Sequence, residues 1–201
     1  MKNTFILCTL IAFISCNSQQ KRAVLGETDF QIKLNNEYKD ASKSPLKKKD
    51  LKNFKGLDFF PINENLKVTA TLKRQENSEF FFMKTTTERR AEEHVYGVLT
   101  FTINGKEHQL NVYQGKELMK SKIYKNYLFL PFTDKTNGTT TYSGGRYMDL
   151  RIPKGNTIEL DFNKAYNPYC AYNGKFSCPI VPKENHLDIA IDGGVKAFKK
   201  D

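Results

Sequence analysis

The chain contains no tryptophan, only three histidines and no second apolar stretch after its N-terminal one. Phenylalanine and tyrosine must therefore supply the bulky side chains of any core. Also absent are a glycine-rich phosphate loop, a Gly-x-Ser-x-Gly nucleophile motif and the ligand spacing of a zinc site. The sequence thus gives no motif for an activity, and we expect neither a metal nor a cofactor.

The first sixteen residues have the pattern of a lipoprotein signal. Lys2 supplies a positive charge, residues 5–14 form an apolar stretch, and the letters FISC at residues 13–16 resemble a bacterial lipobox. A membrane span needs roughly 20 apolar residues, whereas a shorter run that ends at a small residue is typical of a cleaved targeting signal. The resemblance implies that residues 1–15 are removed, that Cys16 is lipidated and that residues 16–27 form a tether. An ordinary secretory signal cut elsewhere is the alternative.

A location in the cell envelope follows from that signal. Residues 17–20 contain no acidic cluster of the kind that resembles a surface-export signal. We therefore expect the lipid to anchor the protein in the outer membrane, with the domain facing the periplasm. The membrane is then a partner through the N-terminal lipid.

The net charge of +10 limits the choice of other partners. Much of the excess lies between residues 33 and 55, where eight lysines, three of them consecutive, are interspersed with three acidic residues. Such a stretch could rest against anionic lipid or nucleic acid, but a solvated lysine-rich face is the simpler interpretation. Because an exported, anchored protein rarely meets nucleic acid, we expect no nucleic-acid partner.

Two cysteines remain once Cys8 is removed with the signal and Cys16 carries lipid. They are Cys170 and Cys178, eight positions apart. Outside the cytoplasm such a pair predicts a disulfide. A metal site would need two further ligands, and only His186 is an obvious candidate nearby.

Helical periodicity is confined to the N-terminal part of the predicted domain. Thr28 begins a capping pattern with Gln31 three residues later, and this predicts an amphipathic helix over residues 28–41. A second, lysine-rich helix is expected over residues 47–55. The apolar stripe of the first helix consists of Phe30, Leu34 and Tyr38.

Alternation of apolar and polar residues predicts strands from residue 66 onward. The strongest local signal is Asn104–Gly105, because this dipeptide suits the positive φ angles of a type I′ turn. A two-residue loop there would place Phe101 opposite His108 and Leu99 opposite Leu110. The predicted strands cover residues 66–72, 79–84, 98–103, 107–112, 127–132, 146–152, 157–162 and 187–191.

The segment 161–185 fits neither a strand nor a helix. Its five aromatic residues and the expected crosslink favour an ordered loop. Residues 28–201 are thus predicted to form a single, mainly β domain. We expect an antiparallel sandwich or a partly closed barrel, with one or two N-terminal helices and a long ordered C-terminal loop.

Arg146 is the most informative charged residue of the predicted sheet. In a regular strand it shares a face with Met148 and Leu150, whereas Tyr147 and Asp149 point the other way. A guanidinium beside apolar neighbours must find a carboxylate or carbonyl groups, because burying it alone is costly. Glycines at positions 144 and 145 could introduce a bulge that reverses this register.

Arg146 could have either of two roles. As a clamp it would pair with Glu184 or Asp161 and hold the long loop to the sheet. As a ligand-binding residue it would form the floor of a pocket for a small anionic or sugar-like ligand. The candidate ligand-binding residues are Arg146, Tyr166, Tyr169, Tyr172, Glu184 and His186.

Two further patterns point to chemistry less strongly. A hydrolase could use Glu184 and His186 near Arg146, but a proton-transfer pair needs a common point within hydrogen-bond reach, and the sequence does not show one. The letters DKTNG at residues 134–138 faintly resemble a calcium loop, yet they lack its run of carboxylates and its closing glutamate. An Asx-turn between two strands is the simpler interpretation. We therefore predict a binding or structural module of the envelope rather than an enzyme.

Several segments carry a family resemblance. The letters YSGGRYMDL at 142–150, DFNKAYNPYCAY at 161–172 and CPIVPKEN at 178–185 resemble the bacterial family named domain of unknown function 1684 (DUF1684). The resemblance extends from about residue 30 to residue 194. It implies kinship of fold, since the family carries no assigned activity. The letters GGV at residues 193–195 depart from the Ala-Gly-Glu-like ending of the family.

Overall fold

The computed structural model of the chain describes residues 26–198. The predicted signal, Cys16 and most of the tether lie outside the described residues. Three α-helices occur in the described part: α1 (Asp29–Lys39), α2 (Lys48–Lys52) and α3 (Lys116–Met119). The strands are β1 (Lys67–Arg74), β2 (Phe81–Met83), β3 (Ala91–Ile103), β4 (Lys106–Gly115), β5 (Tyr127–Asp134), β6 (Arg146–Arg151), β7 (Thr157–Asp161) and β8 (His186–Leu187).

These strands form one sheet that curls into a half-barrel. Along its main path the order is β6-β5-β4-β3-β1-β7, all antiparallel. Strand β2 extends the sheet beside the first residues of β3, and the short β8 pairs in parallel with the end of β5. The predicted fold class is therefore confirmed, in its partly closed form.

The β3–β4 hairpin has the predicted register. Phe101 lies opposite His108 and Leu99 lies opposite Leu110. Asn104 and Gly105 both have positive φ angles, 51° and 74°, as a type I′ turn requires. Because side chains alternate along a strand, this register sends Leu99 and Phe101 into the core.

The cap of helix α1 also matches its prediction. The Thr28 hydroxyl accepts a hydrogen bond from the Gln31 amide at 3.3 Å, and the Gln31 side chain accepts one from the Glu27 amide at 2.7 Å. The helix ends two residues earlier than predicted, and its buried face differs from the expected stripe. Phe30 and Leu34 are only half-buried, whereas Gln31, Asn35 and Tyr38 are buried.

The concave side of the half-barrel holds the main core. Its aliphatic and aromatic side chains come from all the long strands, and they include Leu72, Leu99, Phe101, Leu110, Leu128, Leu130, Phe132, Met148 and Leu160. A second cluster lies under α1, where Tyr38 packs on Tyr172 with ring centroids 4.9 Å apart. A third, smaller cluster lies on the outer face and contains Tyr113, Phe129 and Tyr147.

Buried asparagines hold the long segment 161–185 against the rest of the domain. The Asn163 side chain bonds to both the amide and the carbonyl group of Asn63 at 2.9 Å. Asn167 donates to the Lys196 carbonyl oxygen at 2.8 Å. Asn185 donates to the carbonyl oxygens of Asn111 in β4 and Pro131 in β5. The segment therefore has an ordered path without long helices or strands, which confirms the expected ordered loop.

The last predicted strand is shorter than expected. Only His186–Leu187 pairs with β5, and the chain then leaves the sheet. Beyond that point the Ile191 amide and carbonyl groups bond to side chains of β5 and β6 instead of to a neighbouring strand. In the part of the chain that the structure describes, no helix has the length and apolar character needed to cross a bilayer.

Candidate functional site

Arg146 is at the centre of a buried polar network on the concave side of the sheet. Its guanidinium lies 2.8 Å from the Asp134 carboxylate, and both side chains are completely buried. It also donates to the carbonyl oxygen of Ile191 at 2.8 Å and to that of Gly193. Burial lowers the pKa of Arg146, and the carboxylate of Asp134 opposes that change. Arg146 thus joins β6 to the C-terminal segment.

The partner predicted for Arg146 was wrong. We expected Glu184 or Asp161, but the paired carboxylate is that of Asp134 at the end of β5. Asp134 and Arg146 lie on adjacent strands joined by the loop 135–145, and this loop folds back so that the two side chains meet. Strand β6 pairs regularly with β5 from its first residue, so no bulge reverses the register.

The loop before Arg146 depends on the conformation of Gly145. This residue has a φ angle of +91°, and a Cβ atom there would lie 2.7 Å from the carbonyl oxygen of Phe132. A side chain would therefore displace the start of β6. Asp134 makes the predicted Asx-turn, since its Oδ1 accepts from the Thr136 amide at 2.8 Å and from the Thr136 hydroxyl at 2.6 Å.

Glu184 and His186 do not meet Arg146 at a common point. Both are exposed, and the ring Nδ1 of His186 lies 3.0 Å from the Thr133 hydroxyl. Arg146 has no exposed surface. Within residues 26–198, no group of three or more His, Cys, Asp or Glu side chains is placed to hold a metal ion.

A cleft of about 360 Å³ opens on the other face of β6, between the sheet, α1 and the long segment. Its lining is mainly aromatic, with a few charged and polar groups. The lining residues are Phe30, Lys33, Leu34, Glu37, Tyr38, Tyr147, Asp149, Tyr166, Pro168, Tyr169, Phe176, Ser177, Cys178 and Pro179. We call this site the aromatic cleft. It explains why Phe30 and Leu34 on α1 are only half-buried.

Asp149 is the central polar group of the aromatic cleft. Two tyrosine hydroxyls donate to its Oδ1 atom, Tyr127 at 2.8 Å and Tyr166 at 2.5 Å. Burial and the nearby carboxylate raise the pKa of both tyrosines, so they stay protonated donors. Among the described residues, no hydrogen bond reaches the second oxygen, Oδ2. Asp149 is exposed and can accept a hydrogen bond from a ligand there.

The tyrosines predicted for the site have different positions. Tyr166 and Tyr169 line the aromatic cleft. The Tyr169 ring lies edge-on to Phe176, with centroids 5.2 Å apart. Tyr172 is completely buried between Tyr38 and Phe198. It supports α1 from beneath and does not reach the cleft.

Both cysteines of the long segment are free thiols in the structure. The Cys170 amide donates to the Cys178 sulfur at 3.1 Å, so the two side chains are neighbours. A hydrogen bond from Cys178 lowers the pKa of the Cys170 thiol to about 6, and the same bond raises the pKa of Cys178. Cys178 also lines the aromatic cleft.

Besides Asp149, the acidic residue Glu93 was not among the residues that the sequence marked as candidates. It shares the outer face of β3 with Val95, which packs against the cluster that contains Tyr147. Burial raises its pKa to about 7, although Arg89 opposes this shift. Its Oε2 atom is buried without a hydrogen-bond partner among the described residues. No motif marks Glu93, because its environment depends on the pairing of β2, β3 and β4.

Comparisons with known proteins place this architecture in a family. The model of a protein family described as "protein of unknown function (DUF1684)" matches residues 52–196. The chain belongs to the DUF1684 family. A solution NMR structure of an uncharacterized protein from Haloarcula marismortui is 32% identical with a TM-score of 0.66, over 83% of this chain and 89% of that one. Comparison with curated proteins gives no match.

The DUF1684 match spans the sheet and the long segment but begins after α1. Asp134, Arg146 and Asp149 lie inside the matched residues, whereas Phe30 and Leu34 lie before them. The resemblance seen in the sequence is therefore confirmed at the level of the family. Neither comparison assigns an activity.

Proposed function

We propose that this DUF1684 protein is a ligand-binding module of the cell envelope, and that the aromatic cleft binds a small sugar-like molecule. The observation that carries the proposal is Asp149, a carboxylate positioned by two tyrosine hydroxyls with one oxygen left for a ligand. Ligand sites are typically concave, mostly apolar and equipped with a few fixed polar groups. The aromatic cleft meets each of these conditions.

The charges of the cleft favour a sugar over an anion. Lys33 lies 4.0 Å from Glu37 on the same helix, so its charge is partly neutralised. Asp149 then leaves the cleft with an excess of negative charge, which opposes an anionic ligand. Sugar hydroxyls can donate to Asp149, and the apolar face of a sugar ring can pack on Tyr166 or Tyr169.

Thermal denaturation of the full chain with a panel of neutral mono- and disaccharides tests this function. A ligand present at 100 times its dissociation constant adds about 2.7 kcal/mol to the free energy of unfolding. We expect at least one sugar to raise the melting temperature of the wild type and to lose this effect in Asp149→Asn and Tyr169→Ala. Glu184→Gln is the matched control, because Glu184 is an exposed carboxylate outside the cleft lining. A panel without a stabilising sugar would contradict the proposed ligand class, as would binding that Asp149→Asn leaves intact.

The envelope location is the second part of the proposal. Its support is the short apolar stretch before FISC at residues 13–16. Mass spectrometry of the membrane fraction should find an acylated N-terminal cysteine, and Cys16→Ser should release the protein from the membrane. An unlipidated mature form cut downstream of Cys16 would contradict lipid anchoring.

A disulfide between Cys170 and Cys178 is the third part. Neighbouring thiols in an exported protein can react with the disulfide of an oxidising partner, which accepts two electrons and two protons as the new bond forms. Non-reducing peptide mapping of the native protein should find the two cysteines linked. Complete alkylation of both thiols without prior reduction would contradict the bond.

A further inference from the structure

Six of the nine exposed large apolar side chains among the described residues belong to two segments, 80–82 and 119–124. Two of the six are highly exposed, Phe82 at 58% and Ile123 at 75%. Soluble domains rarely gather such side chains at one place without a partner. The six residues are Phe80, Phe81, Phe82, Met119, Ile123 and Tyr124.

The sheet topology brings the two segments to the same end of the half-barrel. Glu93 in β3 pairs with Phe81 on one side and with Gly115, the last residue of β4, on the other. Helix α3 starts at the next residue, and the chain returns to the sheet at Tyr127, which pairs with Arg151. Since adjacent strands are ~4.8 Å apart, the distance from β2 to β6 is roughly 20 Å.

Basic side chains accompany the exposed rings. Lys116 lies 5.3 Å from the centroid of the Phe80 ring, and Arg90 lies 5.6 Å from that of Phe82. Arg151 lies 5.9 Å from the centroid of Tyr124. Around Ile123 the chain adds Lys120, Lys122 and Lys125, all exposed. We call these rings and cations together the basic aromatic face.

We infer that the basic aromatic face docks on the surface of an anionic lipid membrane. Aromatic and aliphatic side chains enter the headgroup region, and the cations beside them meet lipid phosphates. A second copy of the chain fits less well, because a two-fold dimer would bring the lysines of both copies together. The segment 116–125 has four lysines against one glutamate. Lys116 pairs with Glu92 at 2.6 Å and Lys120 pairs with Glu117 at 2.7 Å. Lys122 and Lys125 therefore supply the positive charge that complements an anionic surface.

The lack of tryptophan in the chain allows a direct test. A single tryptophan in Phe82→Trp or Ile123→Trp reports whether that position contacts lipid. The full chain is mixed with vesicles of phosphatidylethanolamine and phosphatidylglycerol whose acyl chains carry bromine, which quenches tryptophan fluorescence on contact. Thr102→Trp is the matched control, since Thr102 is exposed at the opposite end of β3, nine residues from Glu93 and thus roughly 30 Å away.

We expect the tryptophans at positions 82 and 123 to shift their emission to the blue and to be quenched, while the tryptophan at 102 is unchanged. The apolar N-terminal segment can itself hold the chain on a vesicle, and the comparison of positions 82 and 123 with position 102 removes that effect. Replacing Lys122 and Lys125 with glutamine should weaken the binding that these tryptophans report by ~10-fold or more. Equal quenching at all three positions, or none at 82 and 123, would overturn the inference. A blue shift that depends on protein concentration without vesicles would instead show a second copy as the occupant.

Discussion

The two faces of the sheet at strands β5 and β6 each carry a carboxylate, and the two carboxylates are used in opposite ways. On the concave face, Asp134 accepts from Arg146, from Thr136 and from the Ile191 amide, and its side chain is completely buried. On the outer face, one oxygen of Asp149 accepts hydrogen bonds from two tyrosine hydroxyls, and the side chain borders an open cleft. Both oxygens of the Asp134 carboxylate accept hydrogen bonds from the protein, whereas Asp149 keeps one oxygen as an acceptor for another molecule.

This difference separates a structural polar network from a recognition site. A buried charge must satisfy its hydrogen-bonding capacity within the protein, because each unpaired group costs free energy. An exposed carboxylate has no such requirement, since water can occupy its free oxygen. The Arg146 network therefore stabilises the fold, and the Asp149 arrangement is suited to binding.

The largest expected effect comes from breaking the concave network. Arg146→Met should destabilise the domain by roughly 3–5 kcal/mol, because it leaves the Asp134 carboxylate buried without its cation. Asp134→Asn should cost a comparable amount for the converse reason. Denaturant unfolding of the two variants measures both effects.

The double variant sharpens this prediction. If Arg146 and Asp134 act as a pair, their combined substitution should cost clearly less than the sum of the two single changes. Asparagine keeps an oxygen for the amides of Thr136 and Ile191, so the Asx-turn is retained. Small and additive effects would show that the network contributes little to stability.

Sequence reasoning found the strand but expected the long loop on the wrong face of it. Alternation correctly placed Arg146 with Met148 and sent Tyr147 and Asp149 to the opposite side. The aromatic loop was then expected to cover Arg146, whereas it packs on the other face. A periodic pattern fixes which residues share a face, but it does not fix which face a distant loop covers.

The sequence predicts local features of the domain but not its long-range contacts, for a related reason. The turn chemistry of Asn104–Gly105 and the cap at Thr28 are local, and both were predicted. The environment of Glu93 and the partner of Arg146 depend on contacts between segments far apart in the chain. No spacing in the sequence records such contacts.

An intermediate effect is expected for Glu93 on the outer face. Its pKa is raised to about 7 from an ordinary value of 4.5, so the folded protein holds this proton more tightly than the unfolded chain does. The resulting stabilisation is full below pH 4.5 and declines as the pH rises towards 7. Glu93→Gln should therefore be more stable than the wild type at pH 8, by about 1 kcal/mol after allowance for solvent screening.

Unfolding free energies at pH 4 and pH 8 check this dependence. The advantage of Glu93→Gln should disappear at the lower pH, where the wild-type carboxyl is also neutral. Glu107→Gln on the exposed β3–β4 hairpin is the control and should show no such change. An equal difference at both pH values would mean that the side chain acts through packing and not through its charge.

The smallest effect on stability is expected for Asp149→Asn, the same substitution as Asp134→Asn made on the opposite face. The amide oxygen can still accept from Tyr127 and Tyr166, and the site is open to water. The free energy of unfolding should therefore change by less than ~1 kcal/mol, whereas the thermal shift caused by a bound sugar should be lost. The two variants should have opposite effects. Denaturant unfolding should show that Asp134→Asn lowers stability and that Asp149→Asn keeps it. Sugar-dependent melting should show that Asp134→Asn keeps binding in the fraction that folds and that Asp149→Asn loses binding. A large loss of stability in Asp149→Asn would assign the outer carboxylate the same structural role as Asp134 and would remove the physical basis of the proposed binding site.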